Sequence, residues 1–253
     1  MELKLASYGF LAGKTMEEEG LPNAGLYDQR AVLQWVQDYI SLVGGNASDV
    51  SAWGESAGAG SIMHHLVAQG GTQDPLFTKA VVQSPAFQTM WDRDGYLEEV
   101  FQNFSTAAGC AGQGLSCLRN ASSATLEAAN YQLNYVETVD GVFLTGPAAD
   151  GTLIRQLAAL EFASGNYWKD LDSLIISHTS SEAVLFVDGS VATDAEFNEF
   201  LIETAPEYVQ TSGINADIEA FYPGVDVSST YATETDRMEA FVGESRITCN
   251  TVS

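Results

Sequence analysis

Five consecutive residues, Gly54-Glu55-Ser56-Ala57-Gly58, carry the first chemical signal in this chain. A short apolar run from Val50 to Trp53 precedes them and reads as a buried strand, and Ala57 to Val67 reads as a helix. A strand that bends this sharply into a helix makes a nucleophile elbow, in which a serine hydroxyl stands clear of the backbone. Side chains two before and two after the serine would collide in so tight a bend, which explains glycine at 54 and 58. The Ala57 N–H opens the helix, where an unpaired donor and the helix dipole favour a developing oxyanion. The competing reading is a glycine-rich turn with an idle serine. Glu55 has two readings as well: negative potential at a pocket, or a plain charge at a helix N-terminus.

A serine hydroxyl is a weak nucleophile until a base accepts its proton. The chain offers three histidines. His64 lies eight residues beyond Ser56 on the same helix, about 12 Å along its axis, and His65 lies farther still. Both read as ordinary helix residues. Adjacent positions on a helix cannot share a metal from one face, and no metal-ligand spacing occurs elsewhere in the sequence. His178, at the end of the strand Ser173–Ser177, is the one candidate for a substitute base.

The elements that must hold these groups alternate between strand and helix, which predicts an α/β fold with a mostly parallel central sheet flanked by helices. Leu26, Leu33, Val36, Ile40 and Val43 recur at helical spacing, and Gly44 and Gly45 end that helix. Lys79–Gln83 and Ser173–Ser177 read as strands, with a helix around Leu153 to Ala163 before the second. Residues 1–186 are expected to form the sheet-and-helix core portion. Residues 187–253 are expected to form a helical region, with helices over Asp194–Thr204, Asn215–Phe221 and Thr233–Phe241 capped by Thr or Asp.

Ten basic against 34 acidic residues give a net charge of −24, a field that repels nucleic acid and anionic headgroups. No apolar run approaches the roughly 20 residues of a membrane span, and MELKLASYGF is not a signal peptide. Cys110 and Cys117 bracket a loop rich in glycine and serine. The residues alone allow either a disulfide, in an oxidising compartment, or two free thiols. Cys249 has no partner within the chain. Asn46, Asn103 and Asn120 open N-x-S/T sequons, which fit a secretory origin and a glycoprotein.

In its order of motifs the chain resembles the type-B carboxylesterase/lipase family, which includes the cholinesterases and fungal lipases, with a fungal flavour. GFLAG (9–13), LPNAGLYDQRAVLQWV (21–36), the GG…VSAWGESAGA stretch (44–59), QSPA (83–86) and GPAADG (146–151) look like family segments. Val43 departs from the family, which usually has Phe before the paired glycines. The resemblance implies a partial α/β-hydrolase fold, a disulfide between Cys110 and Cys117, and Ser56 as nucleophile. In the family the acid follows a strand like SLIIS in a D-E-G motif. The matching triplet here is Ser181-Glu182-Ala183, so Glu182 takes the acid role, against the bland reading of a solvated loop residue.

The resemblance also implies what is missing. The family histidine lies far downstream of the acid, and the 71 residues after Glu182 contain none. The family's H-G-G-G-like oxyanion loop lies upstream of KLASYGFLAG. The chain is therefore expected to be truncated on both sides, inactive alone, with an open sheet edge. Its parent is expected to be a secreted hydrolase of small-molecule or lipid esters that needs no metal or cofactor. The alternative is a non-catalytic adhesion protein of the same fold, a class that typically lacks the serine kept here.

Overall fold

Along three short segments, Ala52, Ala80, Val82 and Ile176 alternate with polar or more exposed neighbours, the period of a sheet covered on one face. The computed structural model describes residues 5–86, 90–136, 143–187, 189–204 and 214–251. In it these segments are the strands β1 (Ser51–Glu55), β2 (Lys79–Gln83) and β3 (Ser173–Ser177). They pair in parallel in the order β1-β2-β3. Helices α1 (Ala6–Phe10), α2 (Lys14–Glu19) and α3 (Ala24–Tyr39) precede the sheet, and α4 (Ala57–Leu66) joins β1 to β2. Helices α5 (Tyr96–Ala107), α6 (Gly114–Asn120), α7 (Ser123–Tyr131) and α8 (Ala158–Ala163) lie between β2 and β3. After β3 come α9 (Asp194–Thr204), α10 (Ile214–Phe221) and α11 (Glu234–Arg246).

Ile62, Met63 and Leu66 of α4 pack with Phe77 on Ala80 and Val82. Each of these large side chains stabilises the fold by about 1.5–3 kcal/mol relative to exposure. This packing clamps the elbow between a strand and a helix. The opposite face is bare: Trp53, Val81 and Ile175 stand in register, and Trp53 is 74% and Ile175 60% exposed. Parallel sheets are normally covered on both faces. Among the described residues no further strand pairs with β1 or β3.

A second core joins Leu11 to Val100, Phe101, Phe104, Leu118 and Leu133, and the Cys110–Cys117 disulfide closes its edge. Cys249 is an exposed free thiol. A third core packs Ala183 against Phe197, Leu201, Met238 and Phe241. There the fully buried Arg237 lies 3.8 Å over the Phe197 ring. Its guanidinium donates to Asp194 at 2.6 Å, Glu234 at 2.9 Å and the Tyr222 carbonyl at 2.7 Å, linking the last three helices. The Thr233 hydroxyl caps α11, in a capping box with Asp236.

The helix read from Leu26 to Val43 is α from Ala24 to Tyr39 and then 3₁₀ through Val43, ended by Gly44 at φ +86°. Its apolar stripe is buried only at the start, and Val43 is exposed. The helix expected from Leu153 begins only at Ala158. The Asp150 carboxylate holds the Thr152 and Ile154 N–H groups in a turn, and Gly151 sits at φ +75°. Helices α5 to α7 carry no elbow chemistry; α5 and α7 start on local contacts, with the Ser122 hydroxyl accepting from Thr125 N–H at α7, and α6 starts on a tertiary one. Asp92 accepts from the Gly95 and Tyr96 N–H groups, and Glu19 accepts from Leu115 N–H.

Candidate active site

Ser56 directly follows β1 and caps α4 with φ +54° and ψ −123°, a region that costs a non-glycine residue about 1–3 kcal/mol. Three backbone bonds hold it there. Its N–H donates to the Gln83 carbonyl at 3.0 Å, and its carbonyl accepts from Gly60 at 2.9 Å and Ala86 at 3.2 Å. The hydroxyl makes no capping bond to its own helix, so it remains available. The Ala57 N–H is one of the helix's unsatisfied first donors, beside that hydroxyl.

The two elbow glycines differ in why they are needed. A Cβ on Gly54 would lie 2.5 Å from the Gly58 backbone and 2.7 Å from Ala59 N. Collision at Gly54 thus has its partner in the first turn of α4. A Cβ on Gly58 would meet nothing within 4 Å, because the helix turns that position outward. The steric reason given for Gly58 is therefore corrected: it keeps a cavity open. Glu55, the last residue of β1, alternates onto the bare sheet face with Trp53 and does not line either cavity beside Ser56. Strand alternation thus removes it from the pocket.

Two cavities meet at the elbow. One, of about 190 Å³, has Ser56 and Ala57 in its wall with Phe143, Phe186, Val242 and Ile247. The other, of about 420 Å³, shares Ala57, Ala86 and Phe143 with the first and extends past Gly58 to Gln29 and Ser61. Gly146 and Pro147 border both. That segment is fixed by the buried Asn23, whose amide donates to the Ala148 carbonyl and to Asp150 and whose oxygen accepts from Ala148 N–H. Asn23 and Asp150 thus explain why LPNAG and GPAADG, far apart in sequence, act together.

Glu182 lies beyond the end of β3, half-buried, in a separate cleft of about 320 Å³ with His178, Asp236 and Glu239. Its Oε1 accepts the Ser84 hydroxyl at 2.8 Å and the Thr179 N–H at 2.5 Å. Both bonds go to one oxygen, which leaves Oε2 for another donor. Ser84 follows β2 at φ +48°, between the ends of the other two strands, and donates its N–H to Ser177 at 2.7 Å. Adjacent strands lie about 4.8 Å apart, so the ends of β1 and β3 are roughly 10 Å apart. Ser84 belongs to the QSPA segment, and neither its left-handed backbone nor its distant partner is visible in the sequence.

His178 is exposed, and its Nδ1 bonds the Thr179 carbonyl at 2.8 Å. It lines the Glu182 cleft and neither cavity at the elbow. His64 and His65 are buried in α4. Burial lowers the His64 pKa to about 4. Burial, then the Arg30 charge and His64, lower that of His65 to about 3. Unfolded, both would titrate near 6.5, so below that pH the unfolded chain binds more protons and stability falls towards the folded values. Above pH 6.5 the effect vanishes. Between pH 7.5 and 5 each imidazole is expected to withdraw on the order of 2 kcal/mol. Urea unfolding of His64→Leu should lose its share of that pH dependence, and an unchanged slope would refute the assignment. Among the described residues no group of side chains is arranged to hold a metal ion.

Comparison with known proteins agrees with this geometry. The carboxylesterase family model matches residues 1–253. A secreted lipase of Arthroderma benhamiae is 48% identical over 205 residues, covering 81% of this chain and 39% of that protein. Carboxylesterase patB of Penicillium expansum is 32% identical over 256 residues, covering 98% and 44%. The crystal structure of Aspergillus niger EstA superposes with a TM-score of 0.80 at 29% identity, covering 98% of this chain and 48% of that one. The chain thus spans less than half the length of these relatives. Its parallel sheet with flanking helices is part of an α/β-hydrolase fold. Sequence, sheet order and elbow agree on one assignment: the chain belongs to the carboxylesterase family.

Proposed function

We propose that this chain carries the nucleophile and the acid of a carboxylic-ester hydrolase site that works through an acyl-enzyme. The observation that carries the reading is Ser56 at φ +54°, its hydroxyl uncommitted beside the Ala57 amide and an apolar cavity. Ser56 Oγ attacks the ester carbonyl as an imidazole takes its proton, and the Ala57 N–H stabilises the oxyanion. The imidazole then protonates the departing alcohol, and water releases the acid by the same route in reverse. Glu182 Oε2 holds the imidazole and stabilises its charged form. The position of His178 supports a base that these 253 residues do not supply. An intact serine at an open cavity favours catalysis over a purely adhesive role. Similarity to a secreted lipase, together with the disulfide, supports a secreted parent.

The test supplies the base from outside. The chain alone is expected to hydrolyse 4-nitrophenyl butyrate at close to the background rate. Added imidazole should raise turnover above its own catalysis of the reaction, and Ser56→Ala should remove that increment. Fast hydrolysis without imidazole that disappears in Ser56→Ala would instead place the base within the chain.

A further inference from the structure

The larger cavity beside the elbow has a polar feature that the elbow chemistry does not use. His65 Nε2 lies 2.9 Å from Gln29 Oε1, Gln29 Nε2 donates to Ser61 Oγ at 3.1 Å, and Ser61 Oγ donates to the Ala57 carbonyl at 2.9 Å. The direction of this chain is fixed from its far end. A carbonyl only accepts, so Ser61 donates to it, Gln29 donates to Ser61, and the Gln29 oxygen faces a His65 N–H. His65 is a buried neutral imidazole and meets that demand. The Gln29 amide therefore cannot flip without breaking a bond.

An amide nitrogen carries two hydrogens, and Ser61 takes one. Among the described residues the second has no hydrogen-bond partner, and Gln29 lines the 420 Å³ cavity. Most of the remaining wall is apolar, including Phe10, Ala57, Phe143 and Pro147; of its other polar residues, Asn134 donates to Ser7 and Asn130, Thr145 donates to Asn134, and Tyr135 is exposed. We infer that this cavity is a second substrate limb whose ligand is an apolar arm carrying a hydrogen-bond-accepting oxygen, with Gln29 as the donor that selects it. The inference rests on the ester-hydrolase reading for what reaches the first limb. The matching substrates are esters with a further carbonyl or hydroxyl on one arm. Hydrocarbon arms of equal size leave a donor unpaired in an apolar cavity, which disfavours them.

Binding separates this inference from catalysis. The probes are 4-phenylbutan-2-one and butylbenzene, alike in shape but only the first with an acceptor oxygen, titrated into ¹⁵N-labelled chain. The ketone is expected to shift the Gln29 side-chain amide signals, identified by their loss in Gln29→Leu, and to bind ~5-fold tighter, the worth of one neutral hydrogen bond. Gln29→Leu should bind both equally. Ser61→Ala, a milder change that leaves the His65 contact, should keep a preference for the ketone. Equal binding by the wild-type chain, or a ketone preference that survives Gln29→Leu, overturns the inference. If both probes perturb only the Ser56 and Ala57 amides, the second limb fails while the ester reading stands. If neither perturbs the elbow or Gln29, both fail.

Discussion

With a histidine completing the site, Ser56→Ala is expected to cost on the order of 10⁶ in ester turnover, and Glu182→Gln about 10⁴. The two numbers differ because the residues act at different removes from the bond that breaks. On the proposed mechanism Ser56 supplies the attacking oxygen itself. In the same mechanism Glu182 acts through the imidazole: its Oε1 is occupied by Ser84 and Thr179, which leaves Oε2 for the base. The glutamine keeps the size but loses the charge that stabilises an imidazolium. The double variant should be no slower than Ser56→Ala, because the carboxylate has no work once the nucleophile is gone. Ser84→Ala removes one of the two anchors on Oε1 and should cost roughly tenfold, near the net worth of one hydrogen bond. Steady-state kinetics on one ester measures all four variants, and a double variant slower than Ser56→Ala by a further 10⁴ would show that the residues act independently.

Gly54→Ala should destabilise the fold by about 3 kcal/mol or more, whereas Gly58→Ala should not. The new methyl at 54 meets the Gly58 and Ala59 backbone at 2.5–2.7 Å, and no rotamer change relieves a backbone clash. Relief requires α4 to lift from β1, which opens the core of Ile62, Met63 and Leu66. At Gly58 the methyl has open space and sits in a helix, where alanine is favoured over glycine by up to about 1 kcal/mol. There the loss should fall on substrate binding, because the methyl enters the larger cavity. Chemical denaturation of the two variants gives the comparison. Equal stability would show that the bend is looser than its geometry implies.

What could be read from the sequence follows from the range of each interaction. The elbow was legible because a strand, a tight bend and a helix are written in about seventeen consecutive residues, from Val50 to Leu66. The strands at 79–83 and 173–177 were legible from their apolar runs, and α11 from its Thr233 cap. Ser84 was not legible, since its role depends on Glu182, 98 residues away. The pairing of Gln29 with His65 and of Asn23 with Asp150 likewise joins residues whose spacing carries no period. Of the two readings for Glu55, the pocket charge loses support for a simpler reason: a strand sends alternate side chains to opposite faces, and position 55 shares the face of Trp53.

The claim that position 56 bears the reactive oxygen is tested most directly by mapping a covalent adduct. The chain would be treated with a fluorophosphonate in the presence of imidazole and digested, and the peptides sequenced by mass spectrometry. The adduct is expected on Ser56 alone, with labelling slowed in Glu182→Gln. Adducts spread over other serines, or an unlabelled Ser56 in the folded chain, would contradict it.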